Sequence, residues 1–569
     1  MVSLVWNWVV NLTVFSSLGL KTANNNKFLR FWWEIEKTNI SKNLGDDKKW
    51  MIYLKGGSFN RWCGNEWLVI DWENDGEKVK SQKNSQMIEK GMDFRTGVTL
   101  STRSVKGVCA RSFEENRLFD MAASSIIPYK SSDVSFWLAY ANSKLFNYLL
   151  NCLNPTVNKQ PEDIRRLPAK INENLKKLSD VSYGIKLYLQ QFDFLTLIYR
   201  NSFLESELFN KTDFKANFKT FCDYDNQLNC QVLINEAIIN EKIFEVYNLT
   251  DADKAMVLAK EGESIGGLPV TADAKKAYLE NEIVEFPLDN IREFIQNLPE
   301  TAFSTEEKDN IVAEFPNLYQ SNNDLEEFCI RHQVNPINVW YWFKESNSIP
   351  KQRMNTLAME FLADMIREIL LEDEDGIIPL VPNAGEKILL DRIEEKFLEK
   401  GFSMAQYSAF DGVLGRNIKE YLNGHFFKAL SDHLNLFMYL PKTPFIWHLT
   451  SGPEQGFDCY IIIYKWDRDK LMRVRSVYIE HRERALVNRQ SDLLNDTSAS
   501  AQNEKDKIYK QLKEIESFKA KIDELLQEGY NPILDDGVGK NIAPLQKKGM
   551  LAYEVLNAGQ LKKYLNADW

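Results

Sequence analysis

The chain has 569 residues, 44% of them hydrophobic and 27% charged, with a formal net charge of −11. That length holds roughly three to four domains at about 150 residues each, and the hydrophobic content excludes a mainly disordered chain. The seven cysteines form no CxxC pair and the five histidines no HExxH, so no metal is expected, and a reduced cytoplasm is the simplest location.

The opening, MVSLVWNWVVNLTVFSSLGL, is apolar but has no Lys or Arg ahead of its apolar run, and Asn7 and Asn11 interrupt it. It reads as a cut-off piece of an interior domain (residues 1–17) rather than a signal peptide. No later stretch of 18 apolar residues follows, so no membrane partner is expected. Residues 1 to 170 hold 24 Lys+Arg against 17 Asp+Glu, a net of +7, and the other 399 residues carry a net of −18. A basic module on an acidic body is compatible with phosphate binding at one end, and also with chance fluctuation.

From about residue 18 to 130 the texture is short strands between turn signals. MIYLK (51–55) and EWLVIDW (66–72) predict strands separated by Gly56, Gly57 and Gly64. Trp62, Trp67 and Trp72 read as core, and the glycines as turn formers or as places where a duplex approaches the backbone. Next, Trp137, Ala141, Leu145, Tyr148, Leu149 and Cys152 share one face of a helix. The helix stops at Asn154-Pro155, and Pro161 and Pro168 bracket a short segment carrying Arg165 and Arg166, like a clasp closing a domain.

Residues 172 to 440 are mostly helical and acidic. MNTLAMEFLADMIREILLEDEDG is amphipathic, with Leu357, Phe361, Ile366 and Ile369 on one side. VNPINVWYWFKE offers Trp340, Tyr341 and Trp342 either for stacking on bases or, the better reading, for packing. FDCYIIIYKW (457–466) predicts a buried strand, followed by a basic helix with Arg473, Arg475, Arg482 and Arg484 that faces phosphates or solvent. Ile508, Leu512, Ile515, Phe518, Ile522 and Leu525 then form a heptad-like stripe that packs on this chain or on a partner.

Five stretches resemble one family in the order in which they occur: GLKTANNNKFLRFWWE, YLKGGSFNRWCGN, LNPTVNKQPEDIRRLP, VNPINVWYWFKE and ILDDGVGKNIAPLQ. They look like the C-terminal half of the PglX family, the adenine-specific DNA methyltransferases of BREX phage defence, related to single-chain restriction-modification enzymes. The resemblance runs from about residue 18 to the end. It implies an α+β chain: a mixed, β-rich DNA target-recognition domain (18–170), a mainly helical scaffold (171–440) and a C-terminal α/β domain (441–569) with strand, basic helix and coiled-coil-like segment. In this reading the proline clasp ends a DNA-reading module. Ala23 stands where the family commonly has glycine, in a TGxN-like turn.

The chemistry of adenine methylation is absent from the sequence. Holding a flipped adenine calls for an Asn/Asp/Ser-Pro-Pro-aromatic motif, and S-adenosylmethionine calls for a glycine-rich strand-to-helix turn. Asn-Pro occurs at 154, 335 and 531, but Pro-Pro never does. The expectation is a truncated or split enzyme, inactive alone, with no catalytic residue and no cofactor of its own, S-adenosylmethionine belonging to the full-length family. Its partners would be double-stranded DNA and a separate methyltransferase domain or other defence proteins. The alternative is a free-standing DNA-specificity or adaptor protein that docks a methyltransferase or defence partner. A nuclease is weaker, since DxE and ExK arise by chance in so charged a chain. The candidate DNA contacts are Lys21, Asn24, Asn25, Asn26, Lys27 and Arg30, then Lys55, Arg61, Arg95 and Arg103. Arginine and asparagine suit base edges, and lysine suits phosphates.

Overall fold

The structure is a computed structural model that describes residues 14–17, 19–43, 45–88, 94–101, 107–156, 159–209, 213–318, 325–383, 385–437 and 439–569. The fold is α+β and divides into two compact bodies, each discontinuous in sequence. The first comprises Met1–Leu29, Asn39–Lys211 and Lys215–Met354, and the second Arg30–Thr38, Thr212–Phe214 and Asn355–Trp569.

In the first body the strands are β1 (Val14–Ser17), β3 (Trp50–Leu54), β4 (Leu68–Asp71), β5 (Gly97–Ser101), β6 (Cys109–Phe113), β7 (Arg117–Phe119) and β8 (Ser125–Pro128), with β2 (Leu29–Phe31) running in sequence out of this body. One sheet has the order β1-β8-β5-β6, antiparallel throughout. In the other, β3 pairs antiparallel with β4 and parallel with β7. All five residues of β3 are buried, as an unbroken apolar run requires of a strand covered on both faces. Trp62 and Trp72 are core residues, as read, and Trp67 is half-buried.

The face predicted as one helix from Trp137 to Cys152 is two helices, α1 (Val134–Ala141) and α2 (Lys144–Leu153). The break is local chemistry that apolar periodicity does not register. The Asn142 amide bonds both the N–H (2.8 Å) and the C=O (3.0 Å) of Ala110 on β6, and Ser143 caps α2 by accepting from the Phe146 N–H. The clasp follows as a one-turn helix, α3 (Pro161–Arg165), with proline in its first turn. Asp163 accepts from the Gln160 N–H (2.9 Å) and the Asn154 amide (2.7 Å), and Ile164 and Leu167 are buried. Arg165 donates to the Ser16 carbonyl at 2.5 Å, tying the clasp to β1.

The rest of this body is helical, led by α4 (Glu173–Leu189) and, from Lys215 on, by α5 (Phe214–Val246). One continuous core runs from Val14 and Trp62 through α1 and α5 to Phe343. The VNPINVWYWFKE stretch is α6 (Pro336–Glu345), capped by Asn335, which accepts from the Ile337 N–H and donates to the Leu268 carbonyl. Trp340 packs edge-on against Tyr278 and Trp342 against Phe303, both at 5.1 Å. Both indoles are buried, so they pack rather than offer a platform for bases.

In the second body β10 (Ile446–Thr450) pairs antiparallel with β11 (Asp458–Ile462), which pairs with β9 (Ile377–Pro379) on its other edge. The heptad-like stripe lies on the 29-residue helix α7 (Ala499–Gln527) and faces this chain: Ile508, Ile515, Phe518, Ile522 and Leu525 are buried and Leu512 is half-buried. The basic stretch forms helices Arg468–Arg473 and Ile479–Asp492 around a π turn, Val474–Tyr478. Its arginines answer to this body: Arg473 pairs with Asp375 and Arg475 with Asp523, Arg482 donates to the Gly456 and Pro382 carbonyls, and Arg484 donates to the Glu480 carbonyl. The chain closes with α8 (Val538–Lys547) and α9 (Ala558–Leu565). Among the described residues no helix is long and apolar enough to cross a membrane.

Candidate nucleic-acid interface

The first candidate segment, Thr22 to Lys27, is a turn leading into the single helical turn Asn25–Phe28. Asn24 caps it by accepting from the Lys27 N–H at 3.2 Å, and the Thr22 hydroxyl donates to the Asn25 side chain at 2.6 Å. Asn24, Asn25, Asn26 and Lys27 are half-exposed and Lys21 is exposed. Ala23 sits at φ 59°, the left-handed region that costs an L side chain about 1–2 kcal/mol. That strain falls at the position where the family pattern has glycine. Ala23→Gly is therefore expected to stabilise the first body by about 1 kcal/mol, read as a shift of the urea midpoint without change in slope.

Lys55 is held by a carboxylate next to the Lys21 segment. Lys21 pairs through its backbone with Gln86, and Leu20 beside it forms a bridge to Asp120. Asp120 accepts from the Tyr53 hydroxyl (2.8 Å) and from Lys55 Nζ (2.7 Å), and Tyr53 also donates to the Leu20 carbonyl. So Lys55 is fixed in place, with much of its charge answered locally. Arg95 lies elsewhere, donating to the Pro128 and Tyr129 carbonyls at the end of β8. Arg103 lies outside the described residues.

Arg61 is drawn inward. Its guanidinium lies 2.8 Å from Glu236 on α5 and 2.5 Å from Glu326, and Glu236 also accepts from the Trp62 indole at 2.7 Å. Burial pushes the Glu236 carboxyl above its usual range, with Arg61 opposing and Glu326 adding to the rise. Trp62 itself is fully buried at φ 78°, an unusual conformation for so large a residue, held by backbone bonds to Ala110 and Ser112.

Arg30 does not fit the expected DNA contact. It belongs to the second body, is only 4% exposed, and donates from Nε to the Asp535 carbonyl at 3.0 Å. Burial lowers its pKa, and Glu34 counters this most strongly. Glu34 is equally buried and accepts from the N–H groups of Phe31 (2.8 Å) and Val538 (2.9 Å), the second at the start of α8. Gly537, at φ 86°, has no room for a side chain, since a Cβ there would lie 2.6 Å from Arg30 Nε. Two of the quoted motifs, FLRFWWE and ILDDGVGKN, therefore meet in one buried joint. The partners that decide Lys55 and Arg61, namely Asp120, Glu236 and Glu326, were not singled out from the sequence. For Arg30 a signal existed: an arginine among Phe28, Leu29, Phe31, Trp32 and Trp33, with Glu34 four residues on, is patterned for burial with a partner.

No family model matches the chain. Adenine-specific methyltransferase BrxX from Escherichia coli O9:H4 (strain HS) is 23% identical over 553 residues, which is 92% of this chain and 42% of that protein. Adenine-specific methyltransferase PglX from Lacticaseibacillus casei (strain Zhang) is 25% identical over 569 residues, covering 93% of this chain and 42% of that protein. The chain is thus similar along nearly its whole length to two adenine-specific methyltransferases, and spans less than half of either.

Proposed function

We propose that this chain is the DNA target-recognition portion of an adenine-specific, BREX-type methyltransferase. The observation that carries the reading is the similarity over 92% of this chain but 42% of its relative, in a sequence that holds neither Pro-Pro nor the glycine-rich cofactor turn. The half-exposed Asn24–Lys27 stretch near exposed Lys21 supports a duplex-facing edge, whereas Arg30 and Arg61 hold the fold. By itself the chain binds no S-adenosylmethionine, and equilibrium dialysis with labelled cofactor should leave it empty.

The test is DNA binding by the full chain across a salt series. Neutralising several phosphates gives a log-log slope of about −0.9 per contact. Replacing Lys21, Lys27, Arg95 or Arg103 by alanine should each remove about one unit of slope if that residue touches phosphate. A chain that binds no duplex at low salt, or four variants with unchanged slopes, would reject the reading and favour a free-standing adaptor.

A further inference from the structure

In the second body, α8, α9 and the Leu525–Ile533 segment enclose a groove of about 800 Å³. Pro532, Ile533, Pro544 and Leu561 line it, and its lips expose Ile533 (53%) and Leu565 (37%). Its walls are cross-linked by hydrogen bonds. The Tyr530 hydroxyl accepts from the Trp466 indole (3.0 Å) and donates to the Asn541 carbonyl (3.0 Å), while the Asn541 amide bonds both backbone groups of Ile533. Gln546 ties α8 to the lead-in of α9 through Val555 and Leu556.

The rim is electrically lopsided. Lys540 is paired with Asp536, and Glu528 with Lys548, both at 2.7–2.8 Å. Lys547 and Lys562, which also line the groove, make no ion pair among the described residues and are exposed. The groove thus joins an apolar strip of Pro532, Pro544 and Leu561 to polar groups such as Asn531 and Asn566, and its charged lining residues, Lys540, Lys547, Lys562, Glu528 and Asp536, carry a net charge of +1. Tyr530 and Tyr564 are 7% and 6% exposed, so they offer no open ring face on which bases would stack. A ten-residue helix such as α8 is about 15 Å long, room for roughly three turns laid alongside. We infer that this groove docks an amphipathic, acidic helical segment of a partner protein, with apolar side chains on the apolar strip and carboxylates meeting Lys547 and Lys562. The groove belongs to the second body, and the inference does not depend on the DNA-facing reading of the Thr22–Lys27 turn.

The experiment selects a displayed library of random 16-residue peptides on the immobilised full chain, then measures the enriched peptides by fluorescence anisotropy. The expected winners carry net negative charge and apolar residues at i, i+3, i+4 and i+7. Their binding should weaken with salt, fall at least tenfold in the Lys547→Glu/Lys562→Glu variant, and fall also in Ile533→Ser. Both sites are exposed, and unchanged melting temperatures establish that the variants fold. Peptide binding should protect Val538–Lys547 and Ala558–Leu565 from hydrogen exchange. No enrichment, neutral or basic winners, or equal binding to the charge-reversed variant would each overturn the inference. So would loss of affinity for a 20-base-pair duplex, rather than for peptide, in that variant, which would make the groove a nucleic-acid contact.

Discussion

Arg30→Ala is expected to destabilise the second body by about 3–5 kcal/mol, the range for removing one partner of a buried pair. The loss is only partly the 3.0 Å bond to the Asp535 carbonyl. The larger part is Glu34, left buried without the cation that offsets its desolvation. Burial already raises the Glu34 pKa above 4.5, so the folded chain holds that proton more tightly than the unfolded one. Stability from this group is therefore present below the unfolded pKa and is lost as pH rises through the folded value. Removing Arg30 raises the folded value further, so the variant should lose most at neutral pH and least near pH 4.5. Urea unfolding of both proteins at two pH values measures this. An Arg30→Ala cost below 1 kcal/mol would mean that the joint is not what holds α8.

Arg61→Ala should cost the first body a similar amount, again about 3–5 kcal/mol. Here one guanidinium separates two carboxylates, Glu236 and Glu326, and without it they face each other in a site largely closed to water. The Glu236 pKa is raised, so the same sign applies, and the defect should deepen as pH climbs above about 4.5. Adding Glu236→Gln should restore much of the loss by removing one charge while keeping an acceptor for the Trp62 indole. A double variant no better than Arg61→Ala alone would show that the damage comes from lost packing.

What could be read beforehand was what local periodicity controls. The strands β3, β4 and β11 came from unbroken apolar runs, and the α7 stripe from its heptad-like spacing. The clasp was legible because proline acts on its own neighbours. The break between α1 and α2 was not, because Asn142 works through Ala110, 32 residues away. The candidate contacts suffered in the same way. Lys55 and Asp120 are 65 residues apart and Trp62 and Glu236 are 174 apart, so nothing nearby announces that such side chains answer to an acid. The Asn24–Lys27 stretch, whose cap depends on neighbours within five residues, is half-exposed.

The bond from Arg30 to Asp535 closes a loop of 505 residues. On a ribosome adding about 5–20 residues per second, the 30–38 segment waits some 25–100 s for the stretch that will bury it. Phe31 and Trp33 gain their partners Phe437 and Thr443 sooner, and until then they are apolar surface without a home. Any slowing of elongation between residues 38 and 535 therefore lengthens the interval in which this joint is open.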